Sequence, residues 1–140
     1  MYYPYRSISS NLAVPLAPII PVRLFNPDRN RDWIYELYAI LDTGADVTLI
    51  PLEAVSTLRL PLLDGRVPVV GVGGAMTMGF PCQANLQLGE IQLALLEVIG
   101  CEAMAIGGQD QMIIGRDILN QFCIRFDGKR QQFSFELDEV

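Results

Sequence analysis

The chain has 140 residues, 51% of them hydrophobic and 19% charged, which predicts one folded domain with one core and excludes a disordered chain. Ten basic residues against 16 acidic ones give a net charge of -6, with no run of Lys or Arg, so nucleic acid is not an expected partner. Histidine is absent, which removes Ser-His-Asp and Cys-His nucleophilic mechanisms and the commonest zinc ligand, and leaves any catalysis to carboxylates or another base.

Residues 1–17, rich in Tyr, Ser and Pro, read as an arm with little regular structure and no assignable role. The apolar stretch from Leu12 to Val22 is broken by Pro15, Pro18 and Pro21, so it is neither a signal peptide nor a membrane span. No other run reaches the roughly 18 to 20 apolar residues that a spanning helix needs, and the expected location is the cytoplasm, with no membrane partner. Ile19 to Phe25 reads as a strand, followed by a polar loop from Asn26 to Asp32. Trp33 to Leu41 is almost continuously apolar and aromatic, the pattern of a strand buried on both faces.

Val47 to Ile50 is again strand-like, and Pro51 to Val55 places proline where a first helical turn tolerates it. Gly71 to Gly74 marks the bend of a hairpin. Beyond it Met76, Met78, Phe80, Cys82, Ala84, Leu86 and Leu88 alternate with small or polar residues, the period of a strand with one face in a core. Ile91 to Ile99 predicts a further strand, Gly107 to Asp110 a turn, Met112 to Ile114 a strand and Gly115 to Gln121 a short helix. A terminal hairpin runs from Phe122 to Phe126, through Asp127 and Gly128, to Phe133, Phe135 and Leu137. Cys82, Cys101 and Cys123 form no C-x-x-C pair, so neither a disulfide framework nor a zinc site is expected, and each reads as a small buried hydrophobe.

Asp42-Thr43-Gly44 puts a carboxylate at the end of an apolar strand, where the chain turns through Gly44. Desolvating a carboxylate costs several kcal/mol unless hydrogen bonds or a shared proton offset it. The plain structural reading is an Asx-turn capping its own loop. Gly71 to Gly74 lacks the G-x-G-x-x-G spacing, since position 76 is Met76, and no nucleotide loop is expected. The Met76 and Met78 stripe reads as core or pocket wall.

Three segments together, Leu41 to Asp46, Gly71 to Gly74 and Ile113 to Leu119, resemble the retropepsin family of aspartic proteases in order and separation, over roughly Ile19 to Leu137. The resemblance implies an all-β, closed acid-protease barrel of the pepsin/retropepsin type with one or two short helices, occupying residues 18–140. A single Asp-Thr-Gly implies a homodimer in which two Asp42 carboxylates share a proton, one acting as base and the other as acid. A trapped water would attack the scissile carbonyl of an extended peptide or protein, without metal, cofactor or covalent intermediate.

By the same resemblance, Thr43 would bridge the two active-site loops. Gly44, Ala45 and Asp46 would border the substrate, with Gly44 offering its carbonyl to the substrate backbone. Gly71, Val72 and Gly73 would form a mobile flap whose amides hold substrate through a water. Ala45 lacks the hydroxyl that relatives with Ser direct at the carboxylate, which implies a less acidic optimum. Asp46 would form a structural ion pair with Arg116, against the plainer reading of Arg116 as an exposed helix-start residue, while Asp117 complements the helix dipole. The terminal hairpin, with a mean hydropathy of +0.30 for the chain, points to surface buried between subunits, which the family achieves by interleaving terminal strands. Two other readings stay open: a dimeric peptide-binding module that has lost turnover, and a domain cut from a polyprotein with residues 1–17 as a processing segment.

Overall fold

The described residues form ten strands, β1 Tyr2–Pro4, β2 Ile19–Phe25, β3 Ile34–Leu41, β4 Leu49–Pro51, β5 Val67–Val70, β6 Met76–Leu88, β7 Ile91–Cys101, β8 Gln111–Ile114, β9 Cys123–Asp127 and β10 Gln132–Glu136, the longer of them built on alternating apolar residues. Two short helices, α1 Leu52–Leu58 and α2 Arg116–Leu119, complete them. The computed structural model describes residues 1–29, 31–70 and 74–136. Gly71, Val72 and Gly73, expected at the flap, and Leu137, expected in the last strand, lie outside these residues.

The order β2-β3-β8-β4-β7-β6 closes on itself because β2 pairs with β6 as well as β3, from Val22 opposite Leu88 to Phe25 opposite Asn85. The result is a closed barrel of six strands with β5 added outside β6, in keeping with the closed barrel and one or two short helices that the resemblance implies. Closure removes free sheet edges from the barrel, and alternate residues of each strand fill its interior. Val22 and Leu24, Leu37 and Ala39, Cys82 to Leu88 at even numbers, Met112 and Ile114 all point into one core. Each fully buried aliphatic side chain there contributes about 1.5 to 3 kcal/mol. Ala54, Val55 and Leu58 bring α1 onto it, Pro51 starting the helix in an extended conformation and Arg59 ending it left-handed.

Several expectations change. β3 is buried on one face only: Leu37, Ala39 and Leu41 point inward, while Glu36 and Tyr38 face out. A barrel strand has one inside, and on the outside Glu36 pairs with Arg23 of β2 at 3.5 Å while the Arg6 guanidinium lies 5.4 Å from the Tyr38 ring centre. The N-terminal arm has more structure than its composition predicts. β1 joins β10 and β9 in a second, three-stranded sheet, with Tyr3 stacked on Phe133 at 5.4 Å, and Arg6 bridges to Ala17. The Met76 and Met78 side chains are exposed, although they share parity with the buried Cys82, because β6 there has only β5 beside it.

Cys82 and Cys101 are fully buried, as expected, whereas Cys123 is exposed and not the buried hydrophobe expected, since it begins the edge strand β9. Burial pushes the Cys82 thiol up to about 12 and the Cys101 thiol up to about 11, from an ordinary 9.0. The folded state therefore keeps protons that the unfolded chain releases above pH 9.0, so this contribution to stability is complete below that pH and is lost as pH rises through 11 to 12. Two outcomes are expected. An aromatic disulfide reagent at mildly alkaline pH titrates only Cys123 rapidly in the folded protein and all three thiols in denaturant. The urea midpoint falls as pH rises above 9.0, less so in Cys82→Ala than in wild type.

Candidate active site

β3 and β8 run parallel, with Leu41 opposite Ile114, so Asp42 and Gly115 leave the barrel side by side. The Asp42 N–H donates to the Ile114 carbonyl at 2.9 Å, extending the ladder by one bond. β4 follows β3 in sequence but lies on the far side of β8, with Leu49 opposite Ile113. Residues 42–48 therefore have to cross the end of β8.

The crossing begins as an Asx turn. The Gly44 N–H donates to Asp42 Oδ1 at 2.9 Å and the Ala45 N–H to the Asp42 carbonyl at 3.2 Å. This is the plain structural role for Asp42, and it orients the carboxylate without burying it. α2 holds the middle of the crossing. The Arg116 N–H donates to the Ala45 carbonyl at 2.9 Å, Arg116 Nη1 donates to the Thr43 carbonyl at 2.7 Å, and Arg116 Nη2 pairs with Asp46. The Asp46 side chain is 83% exposed, so the ion pair itself contributes under about 1 kcal/mol, and the backbone bonds set the geometry.

The end of the crossing is buried. Thr48 is fully inaccessible, its N–H and its hydroxyl both donate to the Asp117 carboxylate, at 3.1 and 2.8 Å, and its Oγ1 accepts from the Gly115 N–H at 3.2 Å. Asp117 Oδ1 also accepts from the Ile118 N–H at 2.9 Å. Gly115 is required for close approach: a Cβ there would lie 2.5 Å from the Val47 carbonyl oxygen. The expectation for Asp117 was a helix-dipole role, and this network is what the sequence reading missed. Thr48, a polar residue inside the apolar run Val47 to Ile50, is the signal that could have revealed it.

Asp42 opens into a groove of about 720 Å³ walled by Ile40, Met76, Thr77, Met104 and Ile106. Ile8 of the N-terminal arm lines the same groove, a placement that no local pattern signals. Asp42, Thr43, Gly44, Ala45, Asp46 and Arg116 thus come together at one end of the barrel. Among the described residues no three His, Cys, Asp or Glu side chains are grouped to hold a metal ion, and no helix is long and apolar enough to cross a membrane.

A family model described as aspartyl protease matches residues 35–118, from β3 through α2. The chain belongs to the aspartyl protease family. Among solved structures the chain is similar to the EIAV protease complexed with the inhibitor HBY-793, at 21% identity over 81% of this chain and 92% of that one, with a TM-score of 0.55. The retroviral protease-like domain of Ddi1 from Leishmania major aligns over 86% of this chain and 90% of that one, at 18% identity and a TM-score of 0.48. The fold is thus that of a retroviral protease, and the chain is retropepsin-like. No curated protein sequence matches it.

Within this aspartyl protease domain the matched segment ends next to Asp117, so it contains the whole support network of the loop. Removing the Asp117 carboxylate leaves the buried Thr48 donors unpaired. Asp117→Ala is expected to cost about 2 to 3 kcal/mol in urea unfolding, against under about 1 kcal/mol for Asp46→Asn at the exposed ion pair. Equal effects of the two substitutions would show that the network does not support the loop.

Proposed function

We propose that this protein is an aspartic endopeptidase acting as a homodimer, in which Asp42 of each subunit forms the catalytic pair. The observation that carries this reading is Asp42 itself. It is held by an Asx turn at the mouth of a largely apolar groove of about 720 Å³, in a chain whose sequence has a single Asp-Thr-Gly. One carboxylate cannot be base and acid in the same step, whereas two brought face to face share one proton because both cannot ionise at close range.

In the reaction, the ionised Asp42 takes a proton from a water as that water attacks the scissile carbonyl carbon. The protonated Asp42 donates a hydrogen bond to the carbonyl oxygen and then transfers its proton as the tetrahedral diol forms. Collapse of the diol breaks the C–N bond: the newly protonated Asp42 gives its proton to the departing amine, and a diol hydroxyl gives one to the other Asp42 as the carbonyl re-forms, which restores the pair with one shared proton. Thr43 meets its counterpart across the axis and keeps the carboxylates in plane. Gly44, Ala45 and Asp46 border an extended peptide, the Gly44 carbonyl accepting from its backbone. Arg116 positions the loop through Thr43 and Asp46. No metal or organic cofactor takes part, and the proposed location is the cytoplasm.

Cleavage of a diverse peptide mixture, followed by mass spectrometry across acidic to neutral pH, tests the reading. Wild type is expected to cut with a bell-shaped pH profile, and Asp42→Asn to fold normally and cut nothing. A folded dimer without any Asp42-dependent cut would reassign the chain to peptide binding without turnover. Ala45→Ser places a hydroxyl donor beside the carboxylate and favours its charged form, so the acid limb of the profile is expected to move to lower pH. An unmoved limb would remove position 45 from control of the optimum.

A further inference from the structure

A second cavity, of about 410 Å³, lies at the far end of β3 from Asp42. Asp42 follows the last residue of β3, whereas Phe25, which lines this cavity, is paired with the first, Ile34. No residue lines both this cavity and the Asp42 groove. Its volume falls within the range of roughly 300 to 1,000 Å³ in which proteins hold small molecules.

One wall is the connection between β2 and β3, held at its root by Asn26. Asn26 is buried, its Nδ2 donates to the Leu58 and Arg59 carbonyls at 2.9 and 2.8 Å, and its Oδ1 accepts from the Asp28 N–H at 2.8 Å. Two guanidiniums on that connection line the cavity, Arg31 over the Phe25 ring at 5.0 Å and Arg29 over the Trp33 ring at 4.9 Å. The ion pairs among the described residues include neither of them. A guanidinium resting on a ring by its face keeps its in-plane N–H donors for an oxyanion.

The opposite wall is a bulge. Ala84 pairs with Leu96 and Leu86 with Leu93, so Asn85 of β6 faces both Ala94 and Leu95 of β7. Leu95 takes a left-handed conformation, φ 55°, that leucine rarely adopts, and its N–H donates to Asn85 Oδ1 at 2.8 Å. Strain of this kind persists only where surrounding bonds hold it, and it collects at ligand sites. The bulge gives the cavity Leu93 and Ala94 as an apolar side, with Gln92 next to them.

We propose that this cavity binds a small phosphate ester, with the phosphate on Arg29 and Arg31 and the ester's apolar body against Leu93 and Ala94. Two guanidiniums balance a phosphate dianion, and no Asp or Glu among the described residues lines the cavity with them. The other hollows lined by arginine each hold an acid as well, Asp110 with Arg6 and Glu36 with Arg23. Asp42 has no part in this site, so the proposal stands apart from the endopeptidase reading.

Phenyl phosphate carries both parts of such a ligand, and titrating the full chain with it while following heteronuclear NMR signals tests the site. Saturable shifts are expected at the backbone amides of Gln92, Leu93, Ala94 and Leu95 and at the Nε–H groups of Arg29 and Arg31. Inorganic phosphate and phenol, each one part alone, are expected to bind about tenfold more weakly or worse. Arg29→Gln combined with Arg31→Gln is expected to abolish saturable binding. Ala94→Phe fills the apolar side and keeps both charges, and is expected to bring phenyl phosphate down to the affinity of inorganic phosphate; this arm decides the matter if the double variant does not fold. Unchanged binding in either variant, inorganic phosphate binding as tightly as phenyl phosphate, or shifts centred on Thr77 and Ile106 of the Asp42 groove overturns the proposal. Asp42→Asn is expected to bind phenyl phosphate as wild type does, so a protein that cleaves no peptide still supports this site if it binds.

Discussion

Strand β8 lies between β3 and β4, two strands that follow one another in sequence, and the segment joining them has to pass over its end. A crossing of this kind takes backbone N–H and C=O groups out of the sheet ladder and into a partly buried place, where each needs a partner. The partners are supplied in order along the loop. Asp42 serves the turn, Arg116 serves the Thr43 and Ala45 carbonyls, and Asp117 serves Thr48. The carboxylate that carries the proposed chemistry is therefore fixed by the same bonds that allow the barrel to close.

This arrangement explains why α2, only four residues long, matters beyond its size. Its burial of Ile118 and Leu119 anchors it to the core, and its first turn faces the loop. A rigid support of this type is what a site needs when its catalytic group sits on a loop and has to meet a second group at hydrogen-bonding distance. The ion pair between Arg116 and Asp46 is exposed and of small energetic weight, whereas the buried Thr48–Asp117 contact is where the desolvation argument gives a large effect.

The groove holds the carboxylate of the chain's single Asp-Thr-Gly, and the proposed chemistry needs two. Under that proposal a second copy related by a twofold axis supplies the other, because such an axis pairs each residue with its own counterpart. The arm takes part in both the second sheet and the groove: its β1 occupies one side of β10, and Ile8 reaches the groove wall.

Much of the architecture was legible in the residues alone. Strand β2 spans Ile19 to Phe25 as read, and the alternation from Met76 to Leu88 marks β6 because a strand with one face in a core must repeat every two residues. The Asp-Thr-Gly segment and the Gly-Arg-Asp helix were visible because each is local, a short run of fixed spacing. The tertiary structure decided what depends on neighbours. Trp33 to Leu41 looks apolar on both sides, yet only barrel closure determines that Tyr38 faces out. Met76 and Met78 keep the core parity but lose the core where β7 no longer accompanies β6. Composition gave the arm no structure, since Tyr2–Pro4 becomes a strand only when β10 is beside it. Thr48 and Asp117 are 69 positions apart, and a hydrogen bond over that separation has no sequence period to announce it. Local pattern determined which segments are strands and where the carboxylate stands; only the fold, by bringing distant segments into contact, decided which faces are buried and what holds that carboxylate in place.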